Sequence, residues 1–167
     1  MPVTISGSGS ATGVTSVPNL QSFPTGPQLA AANMPAGSVV QIVTATAAYF
    51  STTSGSLTAT GLSANITPQF ASSKILIMVA LNPSSNNTTE VDGALFRNGS
   101  SLSGDYWWDQ YSAGGASITS GTMTYYDSPA TTSPINYAMY LRSPSPGGTI
   151  KTGGSSQNQL MLLMEIR

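Results

Sequence analysis

The chain has 167 residues, with five Lys/Arg, six Asp/Glu and a net charge of −1. That is a charged fraction of 7%, where an ordinary soluble domain has roughly 25%. It contains no Cys and no His. This excludes disulfides, Ser-His-Asp and Cys-His nucleophile pairs and an imidazole base, and it removes the main ligands of a zinc site. The balance of charge offers no basic patch to nucleic acid or to an anionic membrane. Ser and Thr together number 46, so the folded surface should be mostly hydroxyls, amides and glycine. Such a surface has little charge repulsion to hold molecules apart, which suits a part of an assembly.

The length allows one domain and an extension. No charged side chain precedes Lys74. Residues 1–36 read as an extended arm, because Pro18, Pro24, Pro27 and Pro35 alternate with Gly13 and Gly26 at a density that blocks regular elements. Only Val3 to Ile5 could form a short strand there. The arm lacks the basic start and continuous apolar run of a signal peptide, and no stretch of the chain has the apolar length of a membrane span. Leu20, Phe23, Leu29 and Met34 are apolar anchors that a plain linker does not need. They point to an arm that orders against a partner. Gln28–Asn33 is the best helical candidate, for one turn at most.

Residues 37–167 form the head, and their pattern has period two. In 39–46, Val40, Ile42 and Thr44 share one face. In 61–68, Leu62, Ala64 and Ile66 alternate with Ser63, Asn65 and Thr67, predicting one buried and one wet face. Residues 74–81 (KILIMVAL) are apolar on both faces, as in a central strand covered on both sides. The run 91–97 meets Asn98-Gly99, a pair that tolerates the positive φ angles of a type I′ hairpin turn. Residues 105–111 (DYWWDQY) make an aromatic strand, 117–126 another weakened by Gly121, and 149–152 a minor one. Residues 135–142 alternate Ile135, Tyr137, Met139 and Leu141 against polar or smaller neighbours. The chain closes on 159–166, with Leu160, Leu162, Met164 and Ile166 on one face. Seven to nine short strands with turns between them predict an all-β fold, an antiparallel β-sandwich of jelly-roll type with an extended N-terminal arm.

Three blocks in this order carry a resemblance: Met34 to Val43 (MPAGSVVQIV), Gly61 to Pro68 (GLSANITP) followed by Ala71 to Val79 (ASSKILIMV), and Leu160 to Ile166 (LMLLMEI). Together with the hairpin after Leu95-Phe96-Arg97, they resemble a small β domain of tailed-bacteriophage virion proteins, often placed at the end of tail-fibre-like chains. The Gly/Ser-rich opening Pro2 to Gly9 is similar to the start of such proteins. The resemblance covers about residues 34–167. It implies a homo-oligomeric structural module, usually a trimer, on the exterior of the particle. It brings no catalytic motif. The arm leads almost directly into the head with no shaft between, which leaves a tail-fibre-type appendage and a capsid decoration (cement) protein as the two readings.

The carboxylates are Glu90, Asp92, Asp105, Asp109, Asp127 and Glu165. On one regular strand, Asp105 and Asp109 stand about 13 Å apart, beyond the spacing of a glycosidase pair. No catalytic residue, cofactor or metal site is expected. Glu90 and Asp92 with Asn86 and Asn87 offer oxygen ligands for Ca²⁺, but match no EF-hand spacing and read as a solvated loop. Trp107, Trp108 and Tyr111 have flat faces that can stack on a sugar, with Asp105, Asp109 and Gln110 beside them for hydroxyls, so a host surface polysaccharide is a candidate ligand. Adjacent Trp residues point to opposite faces of a strand, and both also suit a core or a subunit interface. Arg97 and Arg142 are candidates for ion pairs with a neighbouring subunit. The expected partners are therefore other copies of this chain, as a homotrimer, and tail or capsid proteins of the particle.

Overall fold

The computed structural model describes residues 30–85, 90–104, 120–144, 148–153 and 159–167, with 108–110 and 117–118 as backbone. The possible strand at Val3–Ile5 and most of the arm lie outside the described residues. A single 3-10 turn, Ala31–Asn33, is followed by β1 (Val39–Ala47), β2 (Phe50–Thr52), β3 (Thr58–Ile66), β4 (Lys74–Leu81), β5 (Ser84–Ser85), β6 (Val91–Arg97) and β7 (Ser100–Ser101). Then come β8 (Trp108–Gln110), β9 (Ser117–Ile118), β10 (Gly121–Asp127), β11 (Ile135–Arg142), β12 (Ile150–Thr152) and β13 (Gln159–Ile166).

The strands make a first sheet in the order β1-β13-β4-β10 and a second in the order β3-β11-β6, with β7 and β8 both along the free side of β6. A third, small sheet runs β2-β12-β5-β9. Its order repeats that of the first sheet, because each of its strands is the continuation of one there across a break. The breaks fall on a common line. Gly121 pairs with Leu81 and Ile118 with Ser84, so the interruption between β9 and β10 lies opposite Asn82-Pro83. Pro83 has no N–H to give a ladder, and its neighbour strand breaks with it. This is why 117–126 is not one strand, as expected, but two. It is also why the short strands Phe50–Thr52 and Ser84–Ser85 escape a period-two reading.

With each broken strand counted once, the molecule is a jelly roll. β1 pairs with β13, β3 with β11, β4 with β10, and β6 with the β7–β8 edge, all antiparallel. This is a long hairpin ribbon wound into two facing sheets. The turn at its tip behaves as its sequence demands. Asn98 and Gly99 have φ of 50° and 81°, and the Asn98 side chain accepts from the Asn136 N–H at 2.8 Å, which holds the turn to β11.

Between the sheets, Leu62, Ile66, Ile77, Val79, Leu95, Tyr137, Met139, Leu141, Met161 and Leu163 are fully buried or nearly so. In β3 and β11 the alternation is as expected, with Leu62, Ala64, Ile66 and Ile135, Tyr137, Met139, Leu141 inside. β4 is central, between β13 and β10. In the last strand the face that goes inside is Gln159, Met161, Leu163 and Glu165, and the apolar row Leu160, Leu162, Met164, Ile166 turns outward. The register explains how the polar pair is accommodated. The inward rows of the first sheet run Ala47–Gln159 at one end, then Ala45–Met161–Val79–Met123, then Val43–Leu163–Ile77–Tyr125, then Gln41–Glu165–Ile75–Asp127 at the other. In these rows the amide and carboxylate side chains thus sit at the ends, where loops supply partners to Glu165 and to Gln159 Nε2, while among the described residues Gln159 Oε1 has none.

Gly153, after β12, has φ of +75°, and a Cβ there would lie 3.1 Å from the Ala48 carbonyl oxygen, the atom that accepts from Gln159 Nε2 at 2.8 Å. Gly153→Ala therefore combines a left-handed backbone with a collision and is expected to lower the unfolding free energy by about 1–3 kcal/mol. Gly99→Ala, with φ of +81° but open space around it, should cost less. Urea unfolding of both variants, followed by circular dichroism, checks the order.

Candidate functional site

Three polar constellations and one bare surface stand out. The first ties the two sheets together. Arg97 on β6 places Nη1 2.9 Å from both carboxylate oxygens of Asp127 on β10. The Tyr137 hydroxyl on β11 donates to Asp127 Oδ2 at 2.6 Å, and the Ser128 N–H donates to Oδ1 at 2.8 Å. Charge-assisted bonds of this kind are stronger than neutral ones. The side chain of Arg97 remains 35% exposed against 8% for Asp127, so solvent screens part of the pair's attraction.

The second constellation lies within the second sheet, where Arg142 Nε donates to Asp92 Oδ2 at 2.9 Å. Asp92 is 1% exposed, and among the described residues its Oδ1 has no hydrogen-bond partner. Both arginines singled out from the sequence are thus paired inside their own chain, so neither needs a neighbouring subunit's carboxylate to balance its charge. Asp92 is also not part of a solvated loop beside Glu90, as expected, but a buried strand residue of β6. Asn86 and Asn87 lie outside the described residues, and among those described no three acidic side chains come together to hold a metal.

The third constellation closes one end of the head and holds the arm's root. Glu165 is fully buried. It accepts from Gln41 Nε2 at 2.6 Å, from the Gln69 N–H at 2.8 Å and from the Phe70 N–H at 3.3 Å. Two residues on, the Arg167 guanidinium lies 4.9 Å from the centre of the Phe70 ring. Its Nη1 donates to the carbonyls of Ala31 at 3.1 Å, Ala32 at 2.8 Å and Met34. The exposed carbonyl end of a helical turn attracts a cation in this way. The Gly37 N–H donates to the Arg167 carbonyl at 2.6 Å, and the Arg167 N–H to Ser38 at 3.0 Å. The head's grip therefore reaches back to residue 31. Of the arm anchors, Met34 is half-buried at this joint, while Leu20, Phe23 and Leu29 lie outside the described residues.

The aromatic segment is described in part. The register sets Trp108 opposite Gly93 and Asp109 opposite Asp92 on β6. Asp105, Trp107 and Tyr111 lie outside the described residues.

The bare surface is the outward face of the first sheet. Its cross-strand rows read Thr46–Leu160–Ala80–Thr122, Thr44–Leu162–Met78–Thr124 and Ile42–Met164–Leu76–Tyr126. Ile42, Tyr126 and Leu160 are 57%, 56% and 38% exposed. The outward face of the second sheet differs. There Asn136 donates to Asn65 Oδ1 at 2.8 Å, Phe96 stacks on Tyr140 with ring centres 4.0 Å apart, and Arg142 pairs with Asp92. Nothing in the sequence marks Glu165, Gln41 and Arg167 as structural residues. The signal for the apolar face was in the sequence: 74–81 and 159–166 are rich in apolar residues at both parities, and a sandwich has only one interior.

No family model and no curated protein matches the chain. Among solved structures, it is similar to the VP2 subviral particle of infectious bursal disease virus. The TM-score is 0.36 and the identity 16%, over 76% of this chain and 37% of that one. The chain thus spans little more than a third of that protein's length. No helix among the described residues is long and apolar enough to cross a membrane.

The Tyr137–Asp127 bond carries a pH dependence. Burial, first, and then the hydrogen bond to Asp127 and its charge push the Tyr137 hydroxyl far above the ordinary tyrosine range, with the Arg97 charge opposing. A raised folded value means the stabilisation is complete below the unfolded value of about 10 and is lost as pH rises beyond it. The melting temperature should hold up to about pH 10 and fall above it. Tyr137→Phe should lose about 1.5–3 kcal/mol at neutral pH, as for a hydrogen bond to a charged group, and show a shallower alkaline fall. Scanning calorimetry across that range measures both.

Proposed function

We propose that the protein is a structural component of a tailed-bacteriophage virion. In this reading it is a trimeric, tail-fibre-type appendage on the particle's exterior, with residues 1–36 docking on the particle and the jelly-roll head associating with its copies. The observation that carries the reading is the arm's root. Three backbone carbonyls at residues 31, 32 and 34 are gathered by the last side chain of the chain, Arg167. An uncharged segment is thereby tied at a fixed point to one end of a closed head, as a tether to a particle requires. The fate of the head's carboxylates fits the same picture. Asp92, Asp127 and Glu165 are engaged in internal structural contacts. The ordered blocks that resemble virion β domains point the same way.

Two measurements test the reading. In purified particles, the abundance of this chain relative to the major shell protein should be low, as for an appendage on the tail. An abundance matching the shell protein assigns it to capsid decoration instead, and absence from particles overturns both. Replacing Leu20, Phe23 and Leu29 with Ser in the full chain is expected to abolish incorporation into particles while leaving the head's thermal unfolding unchanged. Normal incorporation of that variant would remove the docking role from the arm.

A further inference from the structure

We infer that the outward face of the β1-β13-β4-β10 sheet is the surface through which copies of this chain associate, meeting the same face on neighbouring copies. The inference rests on the reading of the head as a self-associating unit and gives that association a location.

The face has the layout of an interface and not of a solvated surface. Its two central strands contribute Leu76, Met78 and Ala80 beside Leu160, Leu162 and Met164, and its edge strands contribute threonines, Ile42 and Tyr126. An apolar centre inside a hydroxyl rim is the anatomy of protein–protein contacts, where charge is depleted and Met and Tyr are enriched. The charged residue on this face, Lys74, sits in the terminal row opposite Ile166 and donates to Ser128 Oγ at 2.7 Å. Two such faces therefore meet without setting like charges against each other at their centres. The exposed Asn65–Asn136 pair on the second sheet's outward face provides the contrast within the same molecule.

The size of the face selects the occupant. Four strands about 4.8 Å apart and seven residues long at about 3.3 Å each give about 450 Å² in flat projection, before side-chain relief. Shared between two copies, that is about 900 Å², close to the ~1,000 Å² of a specific interface. It can be met by one neighbour across a twofold axis or by two around a threefold axis. A single extended segment such as the arm spans about 5 Å of the sheet's about 19 Å width and would leave most of the apolar rows in water. Another copy of the sheet fits the whole width, since sheets pack face to face with interdigitating side chains.

The test uses the full chain and its native mass by sedimentation. Leu162→Lys and Met78→Lys should each reduce the mass to that of one chain, while Ser63→Lys on the other sheet leaves the oligomer intact. Because the chain has no cysteine, Leu162→Cys adds a unique thiol at the centre of the face. On oxidation it should give disulfide-linked dimers in high yield, and Ser63→Cys should not; this arm of the test stands even if the Lys variants fail to fold. If the unmodified protein is monomeric at every concentration, the self-associating head itself is overturned. If it is oligomeric, yet both Lys variants keep its mass and Leu162→Cys does not cross-link, association proceeds elsewhere and this inference alone falls.

Discussion

A two-layer sandwich has one interior, so a strand turns one row of side chains into it and the other away from it. That constraint governs how this molecule folds. β3 and β11 meet it with polar or small residues on the outward side, such as Ser63, Asn65 and Asn136. β4 and β13 do not. Their inward rows fill the core with Ile75, Ile77, Val79, Met161 and Leu163, and their outward rows are apolar as well. The core between the sheets is already closed by the second sheet, so these outward rows have no place in it.

The same constraint places the polar groups. The inward row of β13 includes Gln159 and Glu165, costly residues to bury without partners. They are tolerated because they fall at the two ends of the core. Glu165 receives the Gln41 amide and two loop N–H groups, and Gln159 reaches the Ala48 carbonyl. Asp127 shares Glu165's row, two strands away across Ile75, and is met by Arg97 and Tyr137 from the facing sheet. One end of the sandwich is thus closed by a polar row in which each carboxylate is satisfied by a different element. The arm's root is held at that same end by Arg167, so chain exit, loop and sheet ends form one joint.

Much of this was legible in the sequence where a strand's two rows differ in kind. The alternation in 61–66 and 135–142 fixed which residues face the core, and Asn98-Gly99 located the hairpin. Legibility failed where the two rows are alike. In 159–166 the more apolar row is outward, since which row turns in is decided by partners far away in sequence: Gln41 at 124 residues' separation and Ala48 at 111. It failed also at the line of breaks across the first sheet, where Pro83 interrupts its own strand and, through the register, the neighbouring one. In a chain where charge is scarce, Arg97 and Arg142 stand out as candidates for ion pairs between subunits. Scarcity applies equally inside one chain, and the wound ribbon brings Asp127 and Asp92 within 2.9 Å of them.

The charge deficit then takes on a structural meaning. Of the few ionic groups, Asp92, Asp127, Glu165, Arg97 and Arg142 serve the fold, and Arg167 serves the joint with the arm. Few are left to give the exterior a repulsive field, which is what normally keeps soluble domains apart. A head with a weakly charged surface and one apolar sheet face has little that opposes association and a defined place where burial favours it by roughly 25 cal/mol for each Å² removed from water. Under the proposed function, the uncharged arm would add a second contact without adding repulsion. The low charge and the bare face are therefore two parts of one physical arrangement, in which the proposed contact with neighbours would add stability that a disulfide or a larger core supplies elsewhere.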